Sequence, residues 1–171
     1  MRRRGRPFGG LLTAFLTTLL AVSACLAAVP SPQSFFGARM GSDHLVLDWD
    51  QVVSYFRALQ ASSGRIRVEE LGRSTEGRPF IAATIADPET LAHLDRYKEI
   101  QRRLADPRLT PEADAEKLAA EGKTVVLITC SIHATELAST QSAVEFTYRL
   151  LTEDTPRMQA ILANTIFLLV P

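Results

Sequence analysis

The stretch Thr124-Val125-Val126-Leu127-Ile128-Thr129, followed by Cys130-Ser131-Ile132-His133-Ala134-Thr135-Glu136, decides the fold. Its first half is an unbroken, mostly β-branched run, which predicts a strand that is covered on both faces, as in parallel sheets. A helix is predicted to begin at Glu136 and to run to Leu151. In open α/β sheets, ligands bind beyond the carboxyl ends of the strands. The loop between this strand and this helix is therefore the first place to expect a site.

Two side chains of this loop have metal-ligating chemistry. His133 offers a neutral imidazole nitrogen and Glu136 an anionic oxygen, a donor set that zinc favours in hydrolytic sites. They lie three positions apart across a strand-to-helix turn, so both can reach one point. The alternative interpretation is structural. In that case the histidine is hydrogen-bonded at a strand end, and the negative charge of the glutamate interacts favourably with the positive end of the helix dipole.

The segment before this stretch predicts a helix and a hairpin. Asp48, with Gln51 three positions later, forms a capping-box pattern, and Gly64 ends the helix. The predicted apolar face of this helix consists of Trp49, Val52, Val53, Phe56 and Leu59. Two strands, residues 67–74 and 80–86, follow and are separated by a glycine-containing turn, which predicts a β-hairpin.

The remaining segments complete an alternating pattern of helices and strands. A helix begins at residues 87–88 and is broken at 106–108, and a short polar helix spans 111–122. After the loop with His133 come a helix over 156–163 and a buried strand over 165–170, which we expect to be central in the sheet. This order predicts an α/β fold with a mixed, largely parallel sheet, flanked by helices and joined by right-handed crossovers.

Composition and charge narrow the class of protein. The 171 residues are 46% hydrophobic and 22% charged, an ordinary globular balance. Basic and acidic residues number 19 each, but four of the arginines lie within residues 2–6, before the first acidic residue, Asp43. Without those four, 15 basic residues face 19 acidic ones, a net charge of −4. No basic stripe remains, so we expect no nucleic acid as a partner.

The N-terminus has the pattern of an export signal, which we assign to residues 1–28. A cluster of arginines precedes the apolar run 11–20, and small residues follow. Val22-Ser23-Ala24-Cys25 resembles a bacterial lipobox, in which Cys25 would be lipidated. The alternatives are ordinary cleavage before Val29 and an uncleaved membrane anchor. We expect an exported protein, periplasmic or extracellular, that contacts a membrane only through its signal or a lipid anchor.

Beyond the signal, residues 29–42 are rich in proline, glycine and serine and are predicted to be a linker. The domain is expected to occupy 43–171. With Cys25 in the signal, only Cys130 remains, so an intrachain disulfide is not expected. Because Cys130 follows an apolar strand, we expect a buried, unreactive thiol.

From about Trp49 to Pro171 the chain resembles the carboxypeptidase A-like zinc metallocarboxypeptidases. Domains of that family open with a Tyr-containing helix, which residues 49–59 match. A hairpin segment similar to Leu-Gly-Arg-Ser-Thr-Glu-Gly-Arg-Pro at 71–79 follows. The next match is a buried strand ending in His-x-x-Glu, at 125–136, and then an apolar run that ends in proline, at 167–171.

The resemblance implies one zinc ion, with His133 and Glu136 as its first two ligands. It places the third ligand, a histidine, and the general-base glutamate downstream of a strand like residues 166–171. The Arg, Asn and Tyr groups that bind substrate belong there as well. We therefore expect this chain to be the N-terminal part of the domain, to contain no catalytic residue and to be inactive by itself.

The implied activity is hydrolysis of the C-terminal peptide bond of a peptide or protein. In such a reaction zinc polarises the scissile carbonyl and activates a water, whose proton the downstream glutamate accepts. Many digestive members have arginine before the glutamate ligand, where this chain has Thr135, so that substrate contact is not carried over. The alternatives are a related zinc amidohydrolase or deacylase, a cell-wall peptide hydrolase, and a non-catalytic exported binding module with the same fold.

Other polar residues are predicted to lie outside the site. The remaining histidines, His44 and His93, are expected at the surface rather than on the metal. The carboxylates of the hairpin, Glu69, Glu70 and Glu76, are expected to be solvated. Two arginines that flank the hairpin turn, Arg73 and Arg78, are expected to be solvated or paired structurally rather than bound to substrate.

Overall fold

Residues 28–171, which the computed structural model describes, form seven helices and four strands. In chain order they are α1 (Pro32–Phe36), α2 (Trp49–Ser62), β1 (Ile66–Arg73), β2 (Pro79–Ile85), α3 (Pro88–Ala92), α4 (Leu94–Ala105), α5 (Glu112–Glu121), β3 (Thr124–Thr129), α6 (Leu137–Thr152), α7 (Pro156–Asn164) and β4 (Thr165–Val170). The predicted strands 124–129 and 165–170 coincide with β3 and β4. Most of the predicted export signal, including Cys25, lies outside the described residues.

The four strands form one mixed sheet in the order β1-β2-β4-β3. β1 pairs with β2 and β2 with β4 in antiparallel fashion, whereas β3 and β4 are parallel, with Thr124 opposite Thr165 and Thr129 opposite Val170. This arrangement confirms the α/β class, the mixed sheet and the central position of β4. Within the described residues, one of the three strand pairings is parallel.

The prediction that β3 is covered on both faces is wrong for the described residues. Val126 and Ile128 pack against the main core, but on the other face Val125 and Leu127 are 38% and 64% exposed. The reason is the open space between this face of β3 and α4. There α4 forms the far wall of an open, mostly apolar cleft of about 640 Å³ instead of lying on the strand.

The main core lies between the sheet and helices α2 and α6. Tyr55, Phe56 and Leu59 of α2 are fully buried there, together with Ile85 of β2 and Val144 of α6. Burying a large apolar side chain contributes about 1.5–3 kcal/mol, so this layer supplies much of the stability. A smaller apolar cluster on the opposite face joins β4 to the segment that contains α3 and α4.

The N-terminus of α2 is fixed as the capping-box pattern predicts. The Asp48 carboxylate accepts a hydrogen bond from the backbone N–H of Asp50, at 2.8 Å, and Gln51 accepts one from the N–H of Asp48, at 3.1 Å. The Trp49 indole N–H donates to the carbonyl of Pro79, at 2.7 Å. This last bond ties the start of α2 to the hairpin and sets one side of the cleft described below.

Residues 29–42, predicted to be a linker, contain helix α1 and pack against the core. The α1 residue Phe36 lies against the ring of Tyr55, with centroids 5.1 Å apart, and Met40 and Val29 also contact the main core. The Tyr55 hydroxyl donates to the carbonyl of Pro30, at 2.9 Å. Proline and serine in this segment form a helix start instead of a free linker, because Ser31 caps α1.

The helix predicted after residues 87–88 is divided into α3 and α4. His93 stands between them with φ −116° and ψ 28°, outside the helical region, and its N–H donates to the carbonyl of Thr90. Asp87 caps α3 as expected, accepting from the Thr90 N–H at 2.6 Å. The apolar spacing that predicted one helix therefore continues across a break, because both pieces pack on the same side of the sheet.

Candidate metal centre

The candidate site begins where β3 leaves the sheet. The N–H of Cys130 still donates to the carbonyl of Val170 in β4, at 2.9 Å, but Ser131 turns away with a φ of +50°. Non-glycine residues rarely adopt this left-handed conformation. The chain then forms a short loop and enters α6 after Glu136, so the loop projects from the carboxyl end of β3, the expected position for a site.

His133 and Glu136 meet in this loop. The imidazole Nδ1 of His133 lies 2.7 Å from the Glu136 carboxylate Oε1. The backbone supports the pair, because the N–H of Glu136 donates to the carbonyl of His133 at 3.0 Å. Both side chains remain open to solvent, at 72% for His133 and 45% for Glu136. The structure thus brings the two predicted ligands together on the surface of the loop.

Three hydroxyl groups lie behind the pair, and the sequence analysis missed them. Ser131 Oγ lies 3.0 Å from Ser139 Oγ and 2.7 Å from Thr140 Oγ1, and it donates to the carbonyl of Glu136 at 3.0 Å. We call Ser131, Ser139 and Thr140 the hydroxyl cluster. The sequence pattern that could have predicted this cluster is a serine directly after the strand, with serine and threonine in the first turn of the next helix.

An open cleft of about 580 Å³ lies next to the loop. One wall comes from the start of α2 and the residues before it, including Trp49, and another comes from α6, including Leu137. Leu137, in the first turn of α6, is 50% exposed and lines this cleft. Arg78 of the hairpin also lines it and lies 3.6 Å from the Asp48 carboxylate. The cleft is therefore mostly apolar, with one compensated positive charge.

The other histidines do not join the pair. His93 lies 3.1 Å from Glu89 and is exposed, and His44 is an exposed residue of the segment before α2, with a φ of +60°. In residues 28–171, no group of three or more His, Cys, Asp or Glu side chains is arranged to hold a metal ion. The expectation that His44 and His93 lie at the surface agrees with their exposure.

The hairpin arginines are paired, which is one of the two roles, solvated or structurally paired, that the sequence predicted for them. Arg73 lies 3.2 Å from Glu70 and donates to the carbonyl of Gly77, at 2.8 Å. Arg78 makes the contact with Asp48 described above. Gly77 itself has a φ of +75°, so the turn requires a residue free to adopt the left-handed region.

Cys130 is half-buried beside the loop and packs against the main core. Burial raises the pKa of its thiol above the ordinary value, which lowers the fraction of the reactive thiolate at neutral pH. The unreactive thiol predicted from the sequence is consistent with this shift. Thr135, where many digestive zinc carboxypeptidases have arginine, is exposed in the loop.

The donor atoms fit zinc as two members of a ligand set. Zinc binds His nitrogen and Glu oxygen at about 2.0–2.2 Å, which separates two donors of a tetrahedral site by about 3.3 Å. Nδ1 of His133 and Oε1 of Glu136 lie 2.7 Å apart. Because both side chains are exposed, a small rotation can widen that distance without disturbing packed neighbours. A catalytic zinc site needs a third protein ligand, and none accompanies this pair among the described residues.

Comparisons with known proteins concern the fold and the family of the chain. No curated protein matches the chain. Among solved structures, the crystal structure of the carboxypeptidase A from Helicoverpa armigera matches with a TM-score of 0.50 and 16% sequence identity. The match covers 74% of this chain and 24% of that one, so the chain spans about a quarter of the length of this structural neighbour. At this identity the match supports the fold alone.

The sequence profile of the Peptidase_M14 family, described as zinc carboxypeptidase, matches residues 52–171. The match covers more than half of the chain, includes the loop with His133 and Glu136, and confirms the resemblance found in the sequence. The chain belongs to the zinc carboxypeptidase family.

Proposed function

We propose that this chain forms part of an exported zinc metallocarboxypeptidase that hydrolyses C-terminal peptide bonds. The observation that carries the proposal is the convergence of His133 Nδ1 and Glu136 Oε1, 2.7 Å apart, beyond the carboxyl end of β3. Family membership supports the reaction class, because it predicts a zinc-dependent peptidase. The role of these two residues as zinc ligands and the identity of the substrate are also part of the proposal.

In this proposal His133 and Glu136 hold zinc as two of its protein ligands. When bound there, zinc supplies a Lewis acid for the scissile carbonyl and lowers the pKa of a bound water. The third ligand and the general base come from outside the described residues, where the resemblance also assigns them. The contribution of the described residues is therefore to hold two donor atoms in a fixed position at the edge of the sheet.

The lining of the cleft beside the loop is an argument for a peptide as the substrate. Its walls combine the apolar surfaces of Trp49 and Leu137 with backbone and polar groups near Ser131. Mostly apolar clefts with a few polar groups are typical of substrate sites. Arg78, already compensated by Asp48, adds little net charge to the cleft.

Export is part of the proposal and depends on the arginine-rich, apolar N-terminal sequence. No helix within residues 28–171 has the length and apolar character needed to span a bilayer. N-terminal sequencing of the exported protein tests the signal. A mature chain that begins at Cys25 with a lipid, or at Val29, supports export, and an intact Met1 contradicts cleavage.

Substitution of the proposed ligands in the full-length protein tests the metal site. We expect His133→Ala or Glu136→Ala to lower zinc affinity by more than about 100-fold, above the range typical of groups that only orient ligands. Hydrolysis of a blocked dipeptide with a free C-terminus should be lost in parallel. Zinc content measured by mass spectrometry, together with the rate of hydrolysis, gives both results.

A second exposed pair provides the matched control. His93 and Glu89 are also a histidine and a glutamate in contact, 3.1 Å apart and exposed, but in the segment of α3 and α4. His93→Ala and Glu89→Ala should leave zinc content and hydrolysis at wild-type levels. Wild-type zinc content in His133→Ala would show that the ligands are misassigned.

A further inference from the structure

The loop that contains the proposed ligands has almost no packing to hold it. Every residue from 132 to 138 is exposed, and Ile132 is 83% exposed. The residues that flank this segment are half-buried, Ser131 on one side and Ser139 and Thr140 on the other. A ligand pair must be held within a fraction of an ångström to bind metal tightly. Hydrogen bonds, rather than packing, therefore have to fix this loop.

The hydroxyl cluster provides those hydrogen bonds. Ser139 Oγ accepts from the backbone N–H of Ser131, at 2.9 Å, and donates to the carbonyl of Glu136, at 2.8 Å. Ser131 Oγ donates to the same carbonyl, at 3.0 Å, and lies 2.7 Å from Thr140 Oγ1. The end of β3 is thus joined to the first turn of α6, and both connections reach the backbone of Glu136.

The hydroxyl cluster has enough protons to form these hydrogen bonds. A hydroxyl has one proton and two acceptor positions. If Thr140 donates to Ser131, then Ser131 and Ser139 each keep one proton, and at least one of these is directed to the Glu136 carbonyl. With Thr140 as the donor, the backbone of Glu136 is therefore anchored, although its side chain makes no cap to the helix.

We propose that Ser131, Ser139 and Thr140 are positioning residues, which fix the backbone of Glu136 so that its carboxylate meets His133 at the metal. This inference rests on the proposed zinc site. The left-handed backbone of Ser131 fits the same role, because this conformation directs the serine hydroxyl back toward α6. Groups that orient metal ligands typically change metal affinity by about 10–100-fold when they are removed.

The test measures zinc affinity in the full-length protein by competition with a chelator. Ser139→Ala and Thr140→Val remove one hydroxyl each, and Ser131→Gly removes a hydroxyl while allowing the positive φ. We expect each substitution to weaken zinc binding by about 10–100-fold. Ser131→Gly combined with Ser139→Ala should lose more than either alone, because each hydroxyl by itself can still donate to the Glu136 carbonyl.

Conservative and matched variants separate positioning from a general loss of structure. Ser139→Thr and Thr140→Ser keep the hydroxyl and should retain affinity close to that of the wild type. Ser142→Ala removes a hydroxyl that donates only within α6, to the carbonyl of Ala138 at 2.7 Å, and should have no effect. The melting temperature of the metal-free protein is measured for every variant.

Each result has a defined consequence. Weaker zinc binding with an unchanged melting temperature, restored by the conservative variants, supports the inference. Wild-type affinity in Ser131→Gly and Ser139→Ala would overturn it, as would a loss of affinity that follows melting temperature in all variants, including Ser142→Ala. If His133→Ala also keeps its zinc, the proposed metal site fails together with this inference. If His133→Ala loses zinc while the hydroxyl variants do not, only this inference fails.

Discussion

Helix α2 and the loop that contains His133 and Glu136, residues 132–138, are held in place in different ways. In α2, Tyr55, Phe56 and Leu59 are completely buried against the sheet. In the loop every residue is exposed, and hydrogen bonds between hydroxyl and backbone groups join its two ends. Stability and site geometry therefore come from separate parts of the molecule. Substitutions in the two regions should affect different measurements.

The largest effect on the free energy of unfolding is expected in α2. Phe56→Ala should lower the free energy of unfolding by about 3–5 kcal/mol, because it leaves a cavity between α2 and the sheet. Ile132→Ala, in the loop, should change it by no more than about 0.5 kcal/mol. Urea denaturation measures both. Similar losses of unfolding free energy in the two variants would contradict this difference between the regions, because the loop would then contribute to the core.

A smaller effect is expected at the N-terminus of α2. Asp48→Ala removes the capping box and the contact with Arg78, and we expect a loss of about 0.5–2 kcal/mol. Asp48→Asn keeps a capping side chain and should lose less. If the two variants lose the same free energy, the ion pair with Arg78 and not the cap is the main contribution of Asp48.

Within the packed layer, the smallest effect on stability at neutral pH is expected for Tyr55→Phe. It removes the hydrogen bond to Pro30 but keeps the buried ring, so the free energy of unfolding should fall by about 0.5–1.5 kcal/mol. A loss as large as that of Phe56→Ala would show that hydrogen bonds also dominate in the packed layer.

The same variant has a distinct dependence on pH. Burial raises the pKa of Tyr55 above its ordinary value, and the nearby Tyr148 and Glu145 add to the shift. The folded state therefore keeps this proton to higher pH than the unfolded state does. The stabilisation that the protonated Tyr55 hydroxyl contributes is complete below about pH 10, the pKa of tyrosine in the unfolded state. It is lost as the pH rises further. Wild-type stability should decrease above pH 10 more steeply than that of Tyr55→Phe.

Several features followed from local sequence patterns. The apolar runs 124–129 and 165–170 predicted β3 and β4 to the residue, and the capping box predicted the start of α2. The resemblance to zinc carboxypeptidases is confirmed by the family match over residues 52–171. The ligand roles of His133 and Glu136 remain predictions, supported by the distance between them. These patterns were informative because backbone conformation and capping depend mainly on neighbouring residues.

The sequence by itself therefore determined the type and order of most elements and the position of the His-x-x-Glu loop. Only the tertiary structure decided that β3 exposes Leu127, that residues 29–42 pack on the core, and that Ser131 meets Ser139 behind the loop. The physical reason is that exposure and such hydrogen bonds depend on contacts between segments that sequence periodicity does not describe. A strand's pattern indicates which residues are apolar, but only its neighbours in the fold decide which of them are covered.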